Sequence, residues 1–389
     1  MDFAMTTEQQ AFRDRVVEFA RTRLGEKAAE HDRDETFDHE GWRACAGFGV
    51  LGWPVPAEHG GSGLDELTTV IGCEALGYGC ADNGLVFAVE NHLWACVVHV
   101  VRHGSPEQRA RFLPGLAAGT LIGAHALTEP ETGSDVLSVR TTATRSGSGT
   151  EAGWELSGTK CFISNGPIAD LFVVFARTGD ATTAPQRALS AFLVPRDTPG
   201  FEVVRAIGKS GLRGTPMGEL RLDGCRVPAA NLLGDEGFGY HVFTSAIEYE
   251  RGFMAASQIG RLQRILETCV EHAGRREQFG RPIGSFQAVS HRLADMRVRL
   301  ELARLLLYKI GWLKQQGRLA LLESAMLKLF ASESLLSSAL DAVRVHGARG
   351  YVTDLPIERE LRDAVGTAIF GGTSDIQRNV IAGLIGLPS

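Results

Sequence analysis

The 389-residue chain predicts an α+β protein in three parts: an N-terminal helical domain over residues 1–120, a central antiparallel β sandwich or barrel over 121–234, and a C-terminal bundle of long helices over 235–389. Three observations lead there. Apolar residues recur at helical spacing through the first part, and short β-rich runs broken by Gly, Pro, Asp and Ser fill the second. Three long apolar-striped segments, 242–273, 285–315 and 319–346, fill most of the third. With 44% hydrophobic residues, a chain of this length can bury a substantial core.

In order, residues 6–29 place Phe12, Val16, Phe19 and Ala20 on one helix face, with Thr6 or Thr7 as cap ahead of Glu8. A second helix over 39–48 stops at Gly49, and the P-V-P-A-E-H-G-G-S-G-L stretch over 54–64 is too rich in Pro and Gly for regular structure. Helices are expected again over 65–76, 83–103 and 106–118. His99 and His103 stand four apart, as two metal ligands on a helix would, but no Glu follows the first as a zinc hydrolase requires. They read as ordinary helix residues, and no metal site is expected.

From Leu121 the runs I-G-A-H-A-L, W-E-L-S-G, L-F-V-V-F-A-R and L-S-A-F-L-V-P alternate with turn residues, and no helix-length pattern separates them. This argues for antiparallel strands and against a parallel nucleotide-binding fold. Gly208, Lys209 and Ser210 mimic the end of a phosphate loop, but Val203 stands where that loop requires Gly. After Gly239 the helical period returns, with a shorter helix expected over 356–370.

A net charge of −6 gives no electrostatic case for nucleic acid or an anionic membrane. Seven cysteines without a C-x-x-C argue for free thiols in a reducing compartment and against structural zinc. The charged first 25 residues lack the apolar core of a signal peptide, and no stretch reads as long enough to cross a membrane. Cytoplasm is the expected location.

The chemistry centres on H-A-L-T-E-P-E-T-G-S-D, from His125 to Asp135, which reads as a strand breaking into a ligand-holding loop. Hydroxyls (Thr128, Thr132, Ser134) and carboxylates (Glu129, Asp135) crowd around the rigid Pro130 and the permissive Gly133. K-C-F-I-S-N-G follows from Lys160, R-E-Q-F-G from Arg276, and F-G-G-T-S-D-I-Q-R from Phe370. In this order, over nearly the whole chain, they resemble the acyl-CoA dehydrogenase family. The resemblance implies FAD between β domain and bundle, with Thr128, Gly133 and Ser134 at the isoalloxazine and Phe162 and Ser164 packed beside it. It also implies that Arg276, Gln278 and Phe279, with Gln287 after them, reach across a subunit boundary to a neighbour's dinucleotide. Gly347, Thr373 and Asp375 complete the cofactor set. Arg344 replaces a usual Gln and Asp375 a usual Glu or Gln, which alters the contacts on the adenine side.

Many members carry their catalytic base where this chain has Gly371, and Gly cannot accept a proton. A branch resembling isovaleryl- and long-chain-type dehydrogenases instead places Glu on the first long bundle helix, directly before Arg; here that pair is Glu250 and Arg251. A proton α to a thioester is weakly acidic, so its base must be a carboxylate held close and dry. Glu250 is the expected base, with the Gly371 backbone N–H polarising the thioester carbonyl. Glu248, two residues away, is expected on another face. Ser134, Tyr249, Arg251, Met254 and Phe370 are the expected substrate contacts.

The resemblance therefore implies a homotetrameric FAD enzyme that dehydrogenates an acyl thioester between its α and β carbons and passes electrons to an electron-transfer flavoprotein or similar acceptor. The E-A-L-G-Y-G-C-A-D-N-G-L segment looks similar to biosynthetic members whose substrate rides on an acyl or peptidyl carrier protein instead of coenzyme A. An acyl-thioester oxidase, a flavin monooxygenase, or a non-catalytic subunit that keeps the fold are the alternatives.

Overall fold

The computed structural model describes residues 4–149, 152–180 and 182–387. Helix α1 (Thr7–Arg23) opens with a capping box: Gln9 N donates to Thr6 Oγ1, and Thr6 N to Gln9 Oε1. The single helix expected over 6–29 is two, because the backbone turns at Gly25 and restarts as α2 (Ala28–Asp34). Then come α3 (His39–Phe48), ended by Gly49 as its sequence suggests, α4 (Glu66–Gly79), α5 (Asn83–His92), α6 (Val98–His103) and α7 (Pro106–Ala117). A π turn, Leu93–Val97, joins α5 to α6.

The 83–103 stretch corrects one expectation. By length and composition it could cross a membrane, with a mean hydropathy of 1.5. Yet 94% of that apolar window is buried inside the protein, so it is the central core helix of the N-terminal part.

The next part holds β1 (Gly123–Ala126), β2 (Thr142–Ser146), β3 (Gly153–Ser164), β4 (Leu171–Arg177), β5 (Leu189–Pro195), β6 (Phe201–Ala206), β7 (Met217–Pro228) and β8 (Leu232–Leu233). The spatial order is β6-β7-β3-β2-β4-β5-β8, with β1 also on β4. Most pairings are antiparallel, but β1 and β2 each pair parallel with β4, which the turn-rich pattern alone does not reveal. The long β2–β3 excursion between β1 and β4 lets the chain return in the same direction. Strands β4 and β5 are buried on both faces. Leu171, Val173 and Phe175 join the core under α6 and α7, while Phe172, Val174 and Ala176 face the main core.

The third part comprises α8 (Gly239–Phe253), α9 (Ala255–Arg275), a hairpin of β9 (Glu277–Gln278) and β10 (Arg281–Pro282), then α10 (Gln287–Gln315), α11 (Leu321–His346), α12 (Ala348–Tyr351), α13 (Ile357–Thr367) and α14 (Ser374–Leu384). The helix expected over 242–273 is interrupted at Met254, and α14 has no counterpart in the sequence reading. Helices α4 and α9 cross backbone to backbone: a Cβ on Gly77 would stand 2.3 Å from the Ser257 carbonyl oxygen, and one on Gly260 2.1 Å from that of Glu74. This crossing sets the first turn of α9 against the N-terminal helices. Glu360 on α13 locks the same region, accepting from Arg261, Arg264 and Asn83. Burial would raise this carboxyl, but the two guanidiniums bring it down to about 2.

Candidate active site

The loop after β1 is built inside out relative to its sequence reading. Glu129, expected to face a ligand, is buried and accepts from the backbone N–H groups of Arg140 (2.7 Å) and Thr141 (2.8 Å) and from the Lys160 ammonium (2.9 Å). Lys160 is fully buried and also donates to the Leu127 carbonyl at 3.0 Å. Thr132 is buried too, its hydroxyl donating to Ser138 O. The pair folds the loop back on itself and leaves Gly133 and Ser134 exposed at its tip.

Strand β3 bulges between Lys160 and Ile163, where its register on β7 shifts. Phe162 takes φ +60° there and stands 55% exposed, an unusual conformation for a bulky residue. Cys161 N donates to Thr128 O at 2.9 Å, so the bulge and the loop are one unit that gathers Thr128, Phe162 and Ser164. Asn165, fully buried, donates to Ala88 O at 2.9 Å, and Asn91 donates to Ser164 O at 3.2 Å. The K-C-F-I-S-N-G motif is thereby pinned to α5.

On α8, Glu250 Oε1 lies 3.7 Å from the point where a Cβ on Gly371 would stand. A carboxylate from either position would thus converge on the same space. Burial raises the Glu250 carboxyl above the ordinary carboxylate range, although Arg251 and Lys328 pull the other way. Arg251 donates through Nε to the Gly371 carbonyl at 3.2 Å. Gln377 Nε2 donates to the carbonyls of Gly371 (3.1 Å) and Gly372 (3.0 Å). These donors hold the left-handed turn at Gly371, where φ is +65°.

Three neighbours escaped the sequence reading because they come from distant segments. Gln377 is fully buried on α14. Glu333 accepts from Ser374 at the start of α14. Lys328 on α11 is buried with its ammonium unpaired by any described hydrogen-bond acceptor, and burial and Arg251 lower it to about 8.

Glu248 points elsewhere, as its spacing suggests. It is buried against Lys314 (2.7 Å) and Ala320 N (3.3 Å). Tyr249 corrects an expectation: it is turned into the core, where its hydroxyl accepts from Arg102 at 3.1 Å and its ring meets Trp94 and Phe253. A helix places successive side chains about 100° apart, so Glu250 facing Gly371 turns Tyr249 away. Met254 and Phe370, by contrast, line one narrow cavity together with Phe87 and Glu90.

The remaining predicted residues lie apart from this centre. Arg276, Gln278 and Phe279 are exposed on the β9–β10 hairpin, with Phe279 93% exposed at its tip, and Gln287 opens α10. Among the described residues, no hydrogen bond or ring contact joins them to Thr128, Ser134 or Phe162. Gly347 caps α11, Thr373 caps α14 by accepting from Ile376 N, and Asp375 is exposed beside Arg378. Ser134 does not line the Met254–Phe370 cavity.

A trio of His31, Asp38 and Asp82 could reach one cation, but both carboxylates already cap helices, accepting from Gly41 N and Leu85 N.

The chain matches the N-terminal domain of acyl-CoA dehydrogenase over residues 6–120, its middle domain over 124–225 and its C-terminal domain over 237–385. It is 42% identical to an L-prolyl-[peptidyl-carrier protein] dehydrogenase of Pseudomonas fluorescens, across 98% of this chain and 99% of that one. The chain belongs to the acyl-CoA dehydrogenase family. Among solved structures the chain resembles the prolyl acyl carrier protein oxidase AnaB (43% identity, TM-score 0.94, covering 99% of this chain and 100% of that one). It also resembles PigA with FAD and proline (38% identity, TM-score 0.95, covering both chains fully). It is an FAD-dependent oxidoreductase that acts on a CH–CH bond of an acyl thioester.

The residues present fit that cofactor. An aromatic ring forced outward on a strained backbone, with Thr128 and Ser164 held on the adjoining loop and strand, offers the flat apolar contact and few fixed polar groups that a tricyclic ring needs.

Proposed function

We propose that this enzyme removes the α-proton and β-hydride of a prolyl group held as a thioester on a peptidyl carrier protein, with Glu250 as the base. The observation that carries the reading is the convergence of Glu250 and Gly371. A half-buried carboxylate, raised by its surroundings, stands beside a turn whose backbone N–H can polarise a thioester carbonyl. Bound FAD would supply the hydride acceptor. Thr128, Gly133, Ser134, Phe162 and Ser164 would hold its ring; Gly347, Thr373 and Asp375 would serve its other end. Arg251 and Gln377 hold the Gly371 carbonyl and with it the turn that presents that N–H, while the Lys328 cation offsets the enolate-like charge that follows proton loss. The relatives' names supply the prolyl group and the carrier.

The test is anaerobic bleaching of the flavin. Prolyl-carrier protein should bleach it faster than prolyl-CoA or a straight-chain acyl-CoA; equal rates for all three would remove the carrier and the prolyl group from the reading. Peroxide yield in air then separates an oxidase from a dehydrogenase that needs an electron-transfer flavoprotein.

The working unit in this proposal is a homotetramer in the cytoplasm, in keeping with seven buried free thiols. Val298, Leu302, Leu305 and Trp312 form an exposed apolar stripe along α10, the kind of face a second subunit covers. The exposed hairpin would carry Arg276, Gln278 and Phe279 to a neighbour's FAD. Phe279→Asp should therefore weaken FAD retention by about 10-fold or more without lowering the melting temperature of the flavin-free protein. Unchanged FAD affinity in that variant would take the hairpin out of the cofactor site.

A further inference from the structure

The cavity lined by Met254 and Phe370 carries an unusual acceptor pair. Glu90 on α5 is 1% exposed, and its Oε2 accepts from Ser257 Oγ at 2.6 Å. Its Oε1 has no hydrogen-bond partner among the described residues. Gln258, on the first turn of α9 and 6% exposed, leaves its own Oε1 equally unpaired. Both residues line the same cavity, whose other walls include Val86, Phe87 and Leu212, with the Phe87 and Phe370 rings 4.6 Å apart.

Two orphaned buried acceptors cost free energy unless something donates to them. Arg261, a charged donor that lines the cavity, is already committed to Glu360. The cavity also adjoins the reacting centre. Met254 follows Glu250 by one helical turn, and Phe370 immediately precedes Gly371.

We infer that Glu90 and Gln258 form the subsite for the substrate's α-nitrogen, selecting a cyclic secondary amine whose ring methylenes pack against Phe87, Met254 and Phe370. A protonated secondary amine has two N–H donors, one for each unpaired oxygen. A carbocyclic acyl group has none and would leave both oxygens unsatisfied. Burial holds the Glu90 carboxyl well above the ordinary range, despite the Ser257 hydrogen bond and Arg261. A bound cation returns it to the ionised form by Coulomb attraction, the same force by which Lys160 favours ionised Glu129. This inference rests on the prolyl thioester reading and adds the residues that read the nitrogen.

The experiment compares prolyl with cyclopentanecarbonyl, its ring nitrogen replaced by carbon, on the same carrier protein. The expected result is a kcat/KM preference for prolyl in the native enzyme, about 10- to 100-fold for a charge-assisted hydrogen bond, that collapses in Glu90→Leu and shrinks in Gln258→Leu. The cyclopentanecarbonyl rate should hold or rise in Glu90→Leu. Equal loss on both substrates, or an undiminished preference in Glu90→Leu, overturns the assignment. Should Glu90→Leu not fold, Glu90→Gln, which keeps an acceptor but removes the charge, should shrink the preference, and an undiminished preference there overturns the assignment equally. A second arm keeps this separate from the functional reading. Free L-proline and cyclopentanecarboxylate are titrated into the FAD-loaded protein and followed by the flavin spectrum. Proline-selective binding that is lost in Glu90→Leu upholds the subsite even if no carrier thioester is turned over; absence of that selectivity overturns it even if one is.

Discussion

Glu250→Gln should lower thioester-driven flavin reduction by about 10²- to 10⁴-fold, the usual worth of a positioned general base, while the protein stays yellow. Deuterium exchange at the substrate α-carbon should fall in parallel, since a neutral amide cannot take the proton. Full activity in the variant would remove Glu250 from the mechanism. The pH dependence has a definite sign. The base works ionised, so kcat/KM should rise with pH through an apparent pKa above the ordinary carboxylate range, and that limb should be missing in Glu250→Gln. Stability runs the other way. A carboxyl whose folded pKa is raised contributes stability that is fully present below its unfolded value of about 4.3 and is lost as pH climbs through the folded value. At neutral pH the native enzyme carries that cost, and Glu250→Gln should melt at a higher temperature. Introducing Glu at 371 is a poor rescue, because an L side chain is strained at φ +65° there.

Lys160→Met should cost about 3–5 kcal/mol in chemical denaturation, because it strands the Glu129 carboxylate in the protein interior. The same change should loosen FAD, since the 128–134 loop depends on this pair for its shape. Adding Glu129→Leu should recover much of the stability, as removing both partners leaves no orphaned charge. A single variant as stable as the native chain would show that the buried pair does not hold the loop.

The order and type of the elements were legible because helical and alternating periods survive in short windows. Phe12, Val16 and Ala20 carry the helical signal locally, while β4 and β5, buried on both faces, are marked instead by short unbroken apolar runs bounded by turn residues. Glu250 was legible through its register beside Arg251. What stayed hidden depends on contacts between distant segments. Nothing near Glu129 announces Lys160, and nothing near Glu90 announces Ser257 and Gln258. The parallel run of β1 on β4 joins segments nearly fifty residues apart, with Gly123 N also donating to His92 Nδ1 at 2.9 Å, and such contacts leave no local mark. Tyr249 was misplaced because proximity in sequence to a reactive residue says nothing about which way a neighbouring helix position points.

The hydrogen bonds from α5 to the K-C-F-I-S-N-G segment have a mechanical consequence. Asn91 and Asn165 bind that segment to the helix that bears Phe87 and Glu90, so in the proposed site the flavin side and the substrate side would be tied to one another. Such a tether would keep the hydride gap of the proposed site nearly constant. Cutting the Asn91 tether should show up first as a steeper temperature dependence of the hydride step, well before any loss of fold.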